Sequence, residues 1–285
     1  CRRRENKGKD AMNKRISACL LAVALVLLAT LPAAAGAAAY DLDRCSAKHV
    51  VLMEAGTGNV LLQKNATDKA FPASTTKIMT CLLALEHGNL EEEITVGEEV
   101  WRGFGARSSL AGFKEGEKLT LRALIYGTML VSGNDAAAAI AVHVSGSESG
   151  FADLMNAKAR EIGMLNTNFV NPHGKHEEEH YTTAYDMALL ARYALQSDQF
   201  REIVGARTYQ VGPTNRNSSG YLFENTNKLI YTRPEKQSYE YRYATGIKTG
   251  DTNQALRCLA ASATKDGTTL IAVLLGDQEQ DTRFT

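Results

Sequence analysis

The chain has 285 residues, with 32 basic and 32 acidic side chains, 44% hydrophobic residues and only 5 prolines. These figures exclude a disordered, collagenous or coiled-coil protein and favour one large domain or two interleaved lobes. Residues 1–39 carry seven Lys or Arg against two acids, so the rest of the chain has 25 basic and 30 acidic groups, a net charge of −5. Because a nucleic-acid-binding protein needs a basic surface to neutralise phosphates, we expect no nucleic-acid partner.

The N-terminal segment has the order of a secretory signal peptide. Two basic residues after Met12 precede an uncharged apolar run, which is followed by a stretch of Ala and Gly. This order predicts a signal peptide over 12–39, cleaved after one of its last alanines. An uncleaved membrane helix is the alternative, since 16–39 is uncharged over a length that can span a bilayer. Residues 1–11 are an upstream extension without a predicted role, and 40–285 is the predicted mature domain.

Hydrophobic periodicity predicts strands at both ends of the mature chain and helices between them. Runs at 50–55 and 59–62 indicate a hairpin, a helix beginning at Ser74 is expected to end at Gly88, and 195–245 is the most loop-like stretch. The remaining predicted elements are helices over 119–131, 135–144, 151–162 and 183–196, and strands over 243–248, 256–264 and 268–275. The pattern predicts an α+β fold, with an antiparallel sheet built from both ends of the chain and packed against a mostly helical lobe.

Three cysteines follow the predicted signal peptide. Cys45, Cys81 and Cys258 are an odd number at scattered spacings, without a CxxC pair. Neither a disulfide framework nor a zinc knuckle is therefore indicated. Cys81 and Cys258 lie in apolar runs, which predicts that they are small buried hydrophobic residues.

A serine and a lysine at the start of the first predicted helix form a candidate nucleophile and base. Ser74 and Lys77 are three residues apart, so both lie on one face of a helix and the amine can reach the hydroxyl. A serine needs an adjacent base to take its proton, and lysine is a base only if its pKa falls far below roughly 10.4. Burial and a second cation would lower the pKa, and Lys248 is the candidate for that cation.

Three short motifs occur in a fixed order along the chain. They are Ser74-x-x-Lys77, then Ser132-Gly133-Asn134, then Lys248-Thr249-Gly250, which is the order found in penicillin-binding proteins and serine β-lactamases. The sequence also resembles the serine-type D-alanyl-D-alanine carboxypeptidases, which are low-molecular-mass penicillin-binding proteins of the β-lactamase/transpeptidase-like superfamily. This resemblance covers 40–285 and extends through the segments 71–80, 131–136, 171–174, 181–188 and 245–250.

The resemblance implies acyl transfer through a covalent intermediate. Ser74 would attack the carbonyl of the penultimate D-Ala of a peptidoglycan stem peptide, with Lys77 as general base. Ser132 would relay a proton to the departing D-Ala amine, and water would then release the acyl group. β-Lactam antibiotics, which imitate D-Ala-D-Ala, would act as covalent inhibitors.

The resemblance also assigns the substrate-binding residues. Asn134 would hold Lys77 and the substrate amide, while Lys248 and Thr249 would bind the terminal carboxylate. Gly250 would let its strand approach the substrate, and the N–H groups of Ser74 and Asp251 would form the oxyanion hole. No metal or other cofactor is implied. An exported, extracytoplasmic enzyme of cell-wall remodelling is expected, with membrane association left open.

Three features depart from the family pattern, and one of them is that 255–258 lacks the glycine usually found two residues before the cysteine. Asp251 stands where similar proteins often have an aromatic residue, histidine or another residue, and a carboxylate beside an anion-binding pocket is expected to weaken substrate binding. The chain stops at 283–285, where relatives continue into a last helix and often a β-rich domain. A truncated C-terminus is one explanation.

Three alternative functions remain open from the sequence. His176 and His180 match the H-E-x-x-H zinc-protease motif, but no apolar helical face accompanies them and a solvated acidic loop is favoured. Glu161 and Leu165-Asn166 are similar to the Glu-x-x-Leu-Asn deacylation motif of class A β-lactamases, but their spacing is one residue too long. Rapid turnover of the acyl-enzyme would identify a β-lactamase. A non-catalytic wall-binding or β-lactam-binding module is the third alternative, which the intact motifs disfavour.

Overall fold

The protein is described by a computed structural model, and the described residues are 42, 45–101, 103–106, 108–279 and 282–284. They fall within a single unit of the chain, Leu42–Thr285. The predicted extension and signal peptide, 1–11 and 12–39, lie outside the described residues. Within the described part, no helix combines the length and the apolar character needed to cross a membrane.

The described strands come from both ends of the domain. In chain order they are β1 (His49–Glu54), β2 (Val60–Lys64), β3 (Glu93–Thr95), β4 (Lys118–Thr120), β5 (Thr208–Val211), β6 (Tyr221–Glu224), β7 (Ala244–Thr252), β8 (Leu256–Lys265) and β9 (Thr268–Asp277). The main sheet is antiparallel with the order β2-β1-β9-β8-β7, and Val51 on β1 lies opposite Val273 on β9. The predicted α+β fold, with a sheet built from both ends of the chain, is confirmed.

The helices form the middle of the chain. They are α1 (Lys77–His87), α2 (Leu121–Met129), α3 (Asn134–Ser145), α4 (Glu148–Ile162), α5 (Ala184–Ala194) and α6 (Asp198–Gly205). Helix α1 contacts α2, α3, α4 and α5, and all of its residues from Lys77 to Ala84 are buried. Because other elements surround it, α1 is buried on every side along this stretch. Cys81 and Cys258 are buried, as predicted.

The segment 195–245 contains more regular structure than the sequence suggested. It includes α6, whose Phe200, Ile203 and Val204 are buried at helical spacing, and the hairpin of β5 and β6. The Ser197 hydroxyl caps α6 by accepting a hydrogen bond from the Phe200 N–H. Helix α6 was not predicted, because its three buried residues are too few for a clear periodicity. The residues 225–243 contain neither helix nor strand.

The start of α1 and the edge strand β7 lie side by side. A 3₁₀ turn, Ala73–Thr76, leads directly into α1 and contacts both β7 and β8. The predicted single helix from Ser74 is thus a tight turn followed by an α-helix. Strand β7 is at the edge of the sheet and contacts the 3₁₀ turn, α1 and α6. A groove lies between this edge and the helical lobe, lined by residues of both.

Candidate active site

Ser74 and Lys77 are adjacent at the end of the groove. Ser74 lies in the 3₁₀ turn and Lys77 is the first residue of α1, so the tight turn and helix place both side chains on one face. The Lys77 Nζ is 3.0 Å from the Ser74 Oγ, and the lysine is fully buried. This distance is within the range of a proton-transferring hydrogen bond.

Three oxygen atoms surround the Lys77 amine. Besides Ser74 Oγ, its Nζ lies 2.7 Å from Asn134 Oδ1 and 2.7 Å from the main-chain oxygen of His173. A neutral amine can donate to Asn134 and His173 while it accepts the hydroxyl proton of Ser74. An ammonium group can donate to all three oxygens. The same three oxygens therefore meet the hydrogen-bonding requirements of Lys77 both before and after it takes a proton.

The environment of Lys77 lowers its pKa well below the ordinary value for lysine. Burial is the main cause, the positive charge of Lys248 lowers the pKa further, and the carboxylate of Asp135 opposes both. Burial and Lys248 are the two causes that the sequence suggested. The lowered pKa makes Lys77 a base that can accept the proton of a serine.

The Lys248-Thr249-Gly250 segment lies on β7. Lys248 is 1% exposed and its Nζ donates a hydrogen bond of 3.0 Å to the Thr249 main-chain oxygen. Burial, together with the positive charge of Arg283, lowers the pKa of Lys248 to about 7. The Thr249 hydroxyl is 2.9 Å from the Thr226 hydroxyl. An ammonium group and a hydroxyl are thus adjacent on one strand, an arrangement that suits an anion.

At Gly250, β7 comes into close contact with the turn that carries the nucleophile. A Cβ atom at this position would lie 3.1 Å from the Pro72 oxygen, the Ala73 Cβ and the Ser74 nitrogen. Only glycine fits without a shift of its neighbours, since these distances are tighter than ordinary contacts. Arg283 donates a hydrogen bond of 2.8 Å to the Gly250 oxygen and thereby supports the strand at this point.

Ser132 lies in the turn between α2 and α3. It is 7% exposed, and its φ of 63° is in the left-handed region that residues other than glycine seldom adopt. Asn134 follows two residues later and contacts Lys77 directly. Among the described residues, the Ser132 hydroxyl forms no hydrogen bond with Ser74 or Lys77, so the structure brings this predicted catalytic residue less close than Asn134.

One cleft of about 590 Å³ is lined by three of the predicted site residues. Ser74, Asn134 and Asp251 line it, together with Gly105, Ser108, Ser109, His173, Gly174, Lys175, His176, Thr252, Asn253 and Gln254. A larger cavity, about 760 Å³, lies beside Ala244 and Thr245 at the other end of β7. None of the predicted site residues lines that second cavity, so the chemistry belongs to the smaller cleft.

The structure adds residues to which the sequence analysis gave no role. The buried carboxylate of Asp135 accepts hydrogen bonds from the N–H groups of Ala111, Gly112 and Phe113, and so fixes the loop beside the cleft. His173, whose main-chain oxygen binds Lys77, has its ring 3.1 Å from a carboxylate oxygen of Glu148. Both residues lie within segments that resemble the family, but the contacts join positions far apart in sequence.

The zinc-protease alternative does not fit this geometry. The segment from His176 to His180 is not helical, and both ring nitrogens of His180 are engaged. Its Nδ1 accepts the Val170 N–H, and its Nε2 is 2.8 Å from the Thr76 hydroxyl. In the described part of the chain, no group of three or more His, Cys, Asp or Glu side chains is arranged to hold a metal ion.

The β-lactamase alternative depended on Glu161. Its side chain is 57% exposed at the end of α4 and pairs with Lys158, 2.9 Å away. Glu161 is not among the residues that line the cleft. It therefore cannot position a deacylating water at Ser74 in this structure.

Comparison with known proteins identifies the family. The D-alanyl-D-alanine carboxypeptidase family, peptidase S11, matches residues 35–279. The D-alanyl-D-alanine carboxypeptidase of a Streptomyces strain is 31% identical over 275 residues, which are 92% of this chain and 91% of the relative. The chain belongs to the D-alanyl-D-alanine carboxypeptidase family. Membership confirms the resemblance from which the site residues were predicted.

Other members of the D-alanyl-D-alanine carboxypeptidase family are similar over part of their length. DacF of Bacillus subtilis is 38% identical over 92% of this chain, and DacC of Escherichia coli is 34% identical over 82%. The chain spans 66% of the Bacillus relative and 57% of the Escherichia coli relative.

Solved structures show the same fold. The crystal structure of a Streptomyces DD-transpeptidase matches with a TM-score of 0.73 at 31% identity, covering 82% of this chain and 91% of the other. A D-alanyl-D-alanine carboxypeptidase from Mycobacterium tuberculosis matches with a TM-score of 0.74 at 26% identity, covering 84% and 86%. This carboxypeptidase-family chain therefore has the β-lactamase/transpeptidase-like fold.

Proposed function

We propose that this chain is the catalytic part of a serine-type carboxypeptidase that removes the terminal D-alanine from peptidoglycan stem pentapeptides. The observation that carries the proposal is the 3.0 Å contact of Ser74 Oγ with a buried Lys77 amine. The similarity to D-alanyl-D-alanine carboxypeptidases supports the same activity. Because the chain spans 66% of its Bacillus relative, the activity is assigned to residues 40–285, the proposed catalytic domain.

Acylation follows from the three oxygens around the Lys77 amine. Neutral Lys77 takes the proton of Ser74, and the Oγ attacks the carbonyl carbon of the penultimate D-Ala. The tetrahedral intermediate then collapses as the C–N bond breaks, and the departing amine of the last D-Ala receives a proton through the Ser132 hydroxyl. The products are an ester on Ser74 and free D-alanine.

Substrate binding uses the other side of the cleft. The terminal carboxylate binds the ammonium of Lys248 and the hydroxyl of Thr249, which lie together on β7. The main-chain N–H groups of Ser74 and Asp251 stabilise the negative oxygen of the intermediate. Gly250 lets these two N–H groups approach each other, since no side chain separates β7 from the turn.

Water completes the reaction by hydrolysing the ester and returning the proton to Ser74. β-Lactam antibiotics acylate the same serine as covalent inhibitors, and no metal or other cofactor takes part. We further propose that 12–39 is a signal peptide and that the enzyme acts outside the cytoplasm, where peptidoglycan lies.

The test is D-alanine release from Nα,Nε-diacetyl-L-Lys-D-Ala-D-Ala by the 285-residue chain and by Ser74→Ala. We expect release by the wild type only. In parallel, intact mass after brief exposure to benzylpenicillin should show one adduct that persists for minutes and is absent from the variant.

Other results would contradict the proposal. Rapid return to the free mass with hydrolysed drug would identify a β-lactamase. A stable adduct without any D-alanine release would indicate a β-lactam-binding module. Neither an adduct nor release would remove the support for acyl transfer on Ser74.

A further inference from the structure

The carboxylate of Asp251 is an unusual group for this cleft. Asp251 is exposed, follows the Lys248-Thr249-Gly250 segment directly, and lines the cleft with Ser74. Among the described residues, its carboxylate forms no hydrogen bond or ion pair. A negative charge left unpaired beside a site that binds a carboxylate is a cost unless another part of the substrate is positive.

The order of contacts along β7 fixes the direction in which the substrate lies. The terminal carboxylate belongs at Lys248 and Thr249, and the carbonyl that Ser74 attacks belongs beside Gly250, where a Cβ atom would lie 3.1 Å from the Ser74 nitrogen. The residues that precede the D-alanines therefore continue past Asp251 toward Asn253. Because β7 is an edge strand, an extended peptide can lie along it in this way.

We propose that Asp251 makes the site prefer stem peptides whose third residue carries a side-chain ammonium group over peptides that are neutral at that position. This inference rests on the proposed function and adds the substrate class. The diamino acids that cross-link stem peptides, with a free side-chain amine, are the chemical class that fits. The carboxylate that is unfavourable for the peptide's own C-terminus then favours the third residue.

The cations near Asp251 do not pair with its carboxylate, so the carboxylate can interact with a positive group of the substrate. Its neighbour across the sheet is Arg257 on β8, whose guanidinium donates to the Gln278 main-chain oxygen, 3.0 Å away. Lys175 also lines the cleft, and its amine donates to the Gly103 oxygen. In the described part of the chain, neither cation forms an ion pair with Asp251. Because the carboxylate is exposed and screened, we expect a preference of roughly three- to fivefold.

The experiment compares two substrates that differ in one charge. They are Nα-acetyl-L-Lys-D-Ala-D-Ala, with a free side-chain amine, and its Nα,Nε-diacetyl counterpart. The readout is the ratio of their kcat/KM values for D-alanine release, measured for the wild type, Asp251→Asn and Asp251→Lys at low and high salt. A ratio within one protein does not depend on the fraction that is active.

The wild type should favour the free amine roughly three- to fivefold at low salt and less at high salt, because exposed charges are screened. Asp251→Asn should bring the ratio close to one, and Asp251→Lys should reverse it. Asp266→Asn is the matched control, since it removes an exposed carboxylate from the distant turn between β8 and β9 and should keep the wild-type ratio.

An equal rate for both substrates in the wild type, or the same ratio in Asp251→Asn as in the wild type, would overturn the inference and leave the proposed function standing. No D-alanine release from either peptide would overturn the proposed function, and the inference with it. Thermal unfolding of each variant shows whether it is folded.

Discussion

The two sides of the cleft each present a buried lysine with a lowered pKa, but the two lysines are held differently. On the helical side, Lys77 has three oxygens around its amine, from Ser74, Asn134 and His173. On the sheet side, Lys248 donates to the main-chain oxygen of Thr249 and has no second hydrogen-bonding acceptor among the described residues. The Lys77 amine therefore has a hydrogen-bonding partner in each of three directions, whereas the Lys248 amine has N–H donors that no described residue uses.

This difference suits the two roles proposed above for these lysines, a general base and an anion-binding group. A general base must be held in place while its proton changes, and three fixed oxygens do that for Lys77 in both states. An anion-binding group must keep donors for its ligand, and Lys248 does so. The charge of Lys248 also lowers the pKa of Lys77, so the anion-binding side adjusts the base.

The largest expected effect is the loss of the base. In Lys77→Met, the rate constant for acylation of Ser74 by benzylpenicillin should fall about 10²- to 10⁴-fold, because Lys77 is the one basic side chain that forms a hydrogen bond with the Ser74 hydroxyl among the described residues. Stopped-flow or quenched mass spectrometry measures this rate. Lys158→Met is the matched control, as Lys158 is a mostly buried lysine on α4 that pairs with Glu86 and Glu161. Acylation of Lys77→Met within tenfold of the wild type would disprove the assignment.

Removal of the other lysine should affect binding more than chemistry. In Lys248→Met, kcat/KM for a peptide ending in D-Ala-D-Ala should fall about 10- to 100-fold, since a charge-assisted hydrogen bond to the carboxylate is lost. A peptide ending in a carboxamide should lose far less. An equal loss for both peptides would mean that Lys248 acts on Lys77 or on the fold and does not bind the carboxylate.

The pH dependence separates the two lysines. In the proposed mechanism, acylation by any peptide needs Lys77 neutral, and binding of a peptide with a terminal carboxylate also needs Lys248 charged. Since the pKa of Lys248 is about 7, kcat/KM for the carboxylate peptide should fall about tenfold per pH unit above that value, as Lys248 loses its charge. The fall at low pH comes from protonation of Lys77, whose own pKa is lowered by burial and by Lys248. Because the lysines interact, the profile reports the pair.

A carboxamide peptide is the control for this profile. It has no negative terminus for Lys248 to bind, so its kcat/KM should continue level above pH 7. If kcat/KM fell equally for both peptides above pH 7, the decrease would belong to a group other than Lys248.

Some of this site could be predicted from the sequence because it depends on local geometry. The spacing of Ser74 and Lys77 fixes their contact, since a turn of helix brings such positions together. The three motifs predicted that Asn134 and Lys248 belong to one site. The fold class followed from strands at both ends of the chain and helices between them.

Other contacts could not be predicted, because they use main-chain atoms or unusual backbone conformations. The oxygen of His173 that binds Lys77 has no side-chain signature. Ala73 and Ser132 have φ values of 48° and 63°, which no rule for alanine or serine would suggest. The short helix α6 was missed because its three buried residues are too few for a clear periodicity.

Thr226 is a residue of this second kind and gives the smallest expected effect. It lies in a stretch without helix or strand, and only the fold places its hydroxyl 2.9 Å from that of Thr249. This contact orients the Thr249 hydroxyl. In the proposed mechanism, that hydroxyl donates to the substrate carboxylate beside the Lys248 amine. Thr226→Val removes the contact and should lower kcat/KM for the carboxylate peptide about two- to tenfold, the value of one neutral hydrogen bond.

Thr226→Ser keeps the hydroxyl and should retain nearly the wild-type value, whereas Thr249→Val should lower kcat/KM at least as much as Thr226→Val. If Thr226 acts only by orienting Thr249, the double variant should be no worse than Thr249→Val alone, because the two losses then share one cause. Additive losses would mean that Thr226 contacts the substrate itself. The sheet side would then hold the carboxylate with one more hydroxyl, and the contrast with the fully coordinated Lys77 would be smaller than the structure indicates.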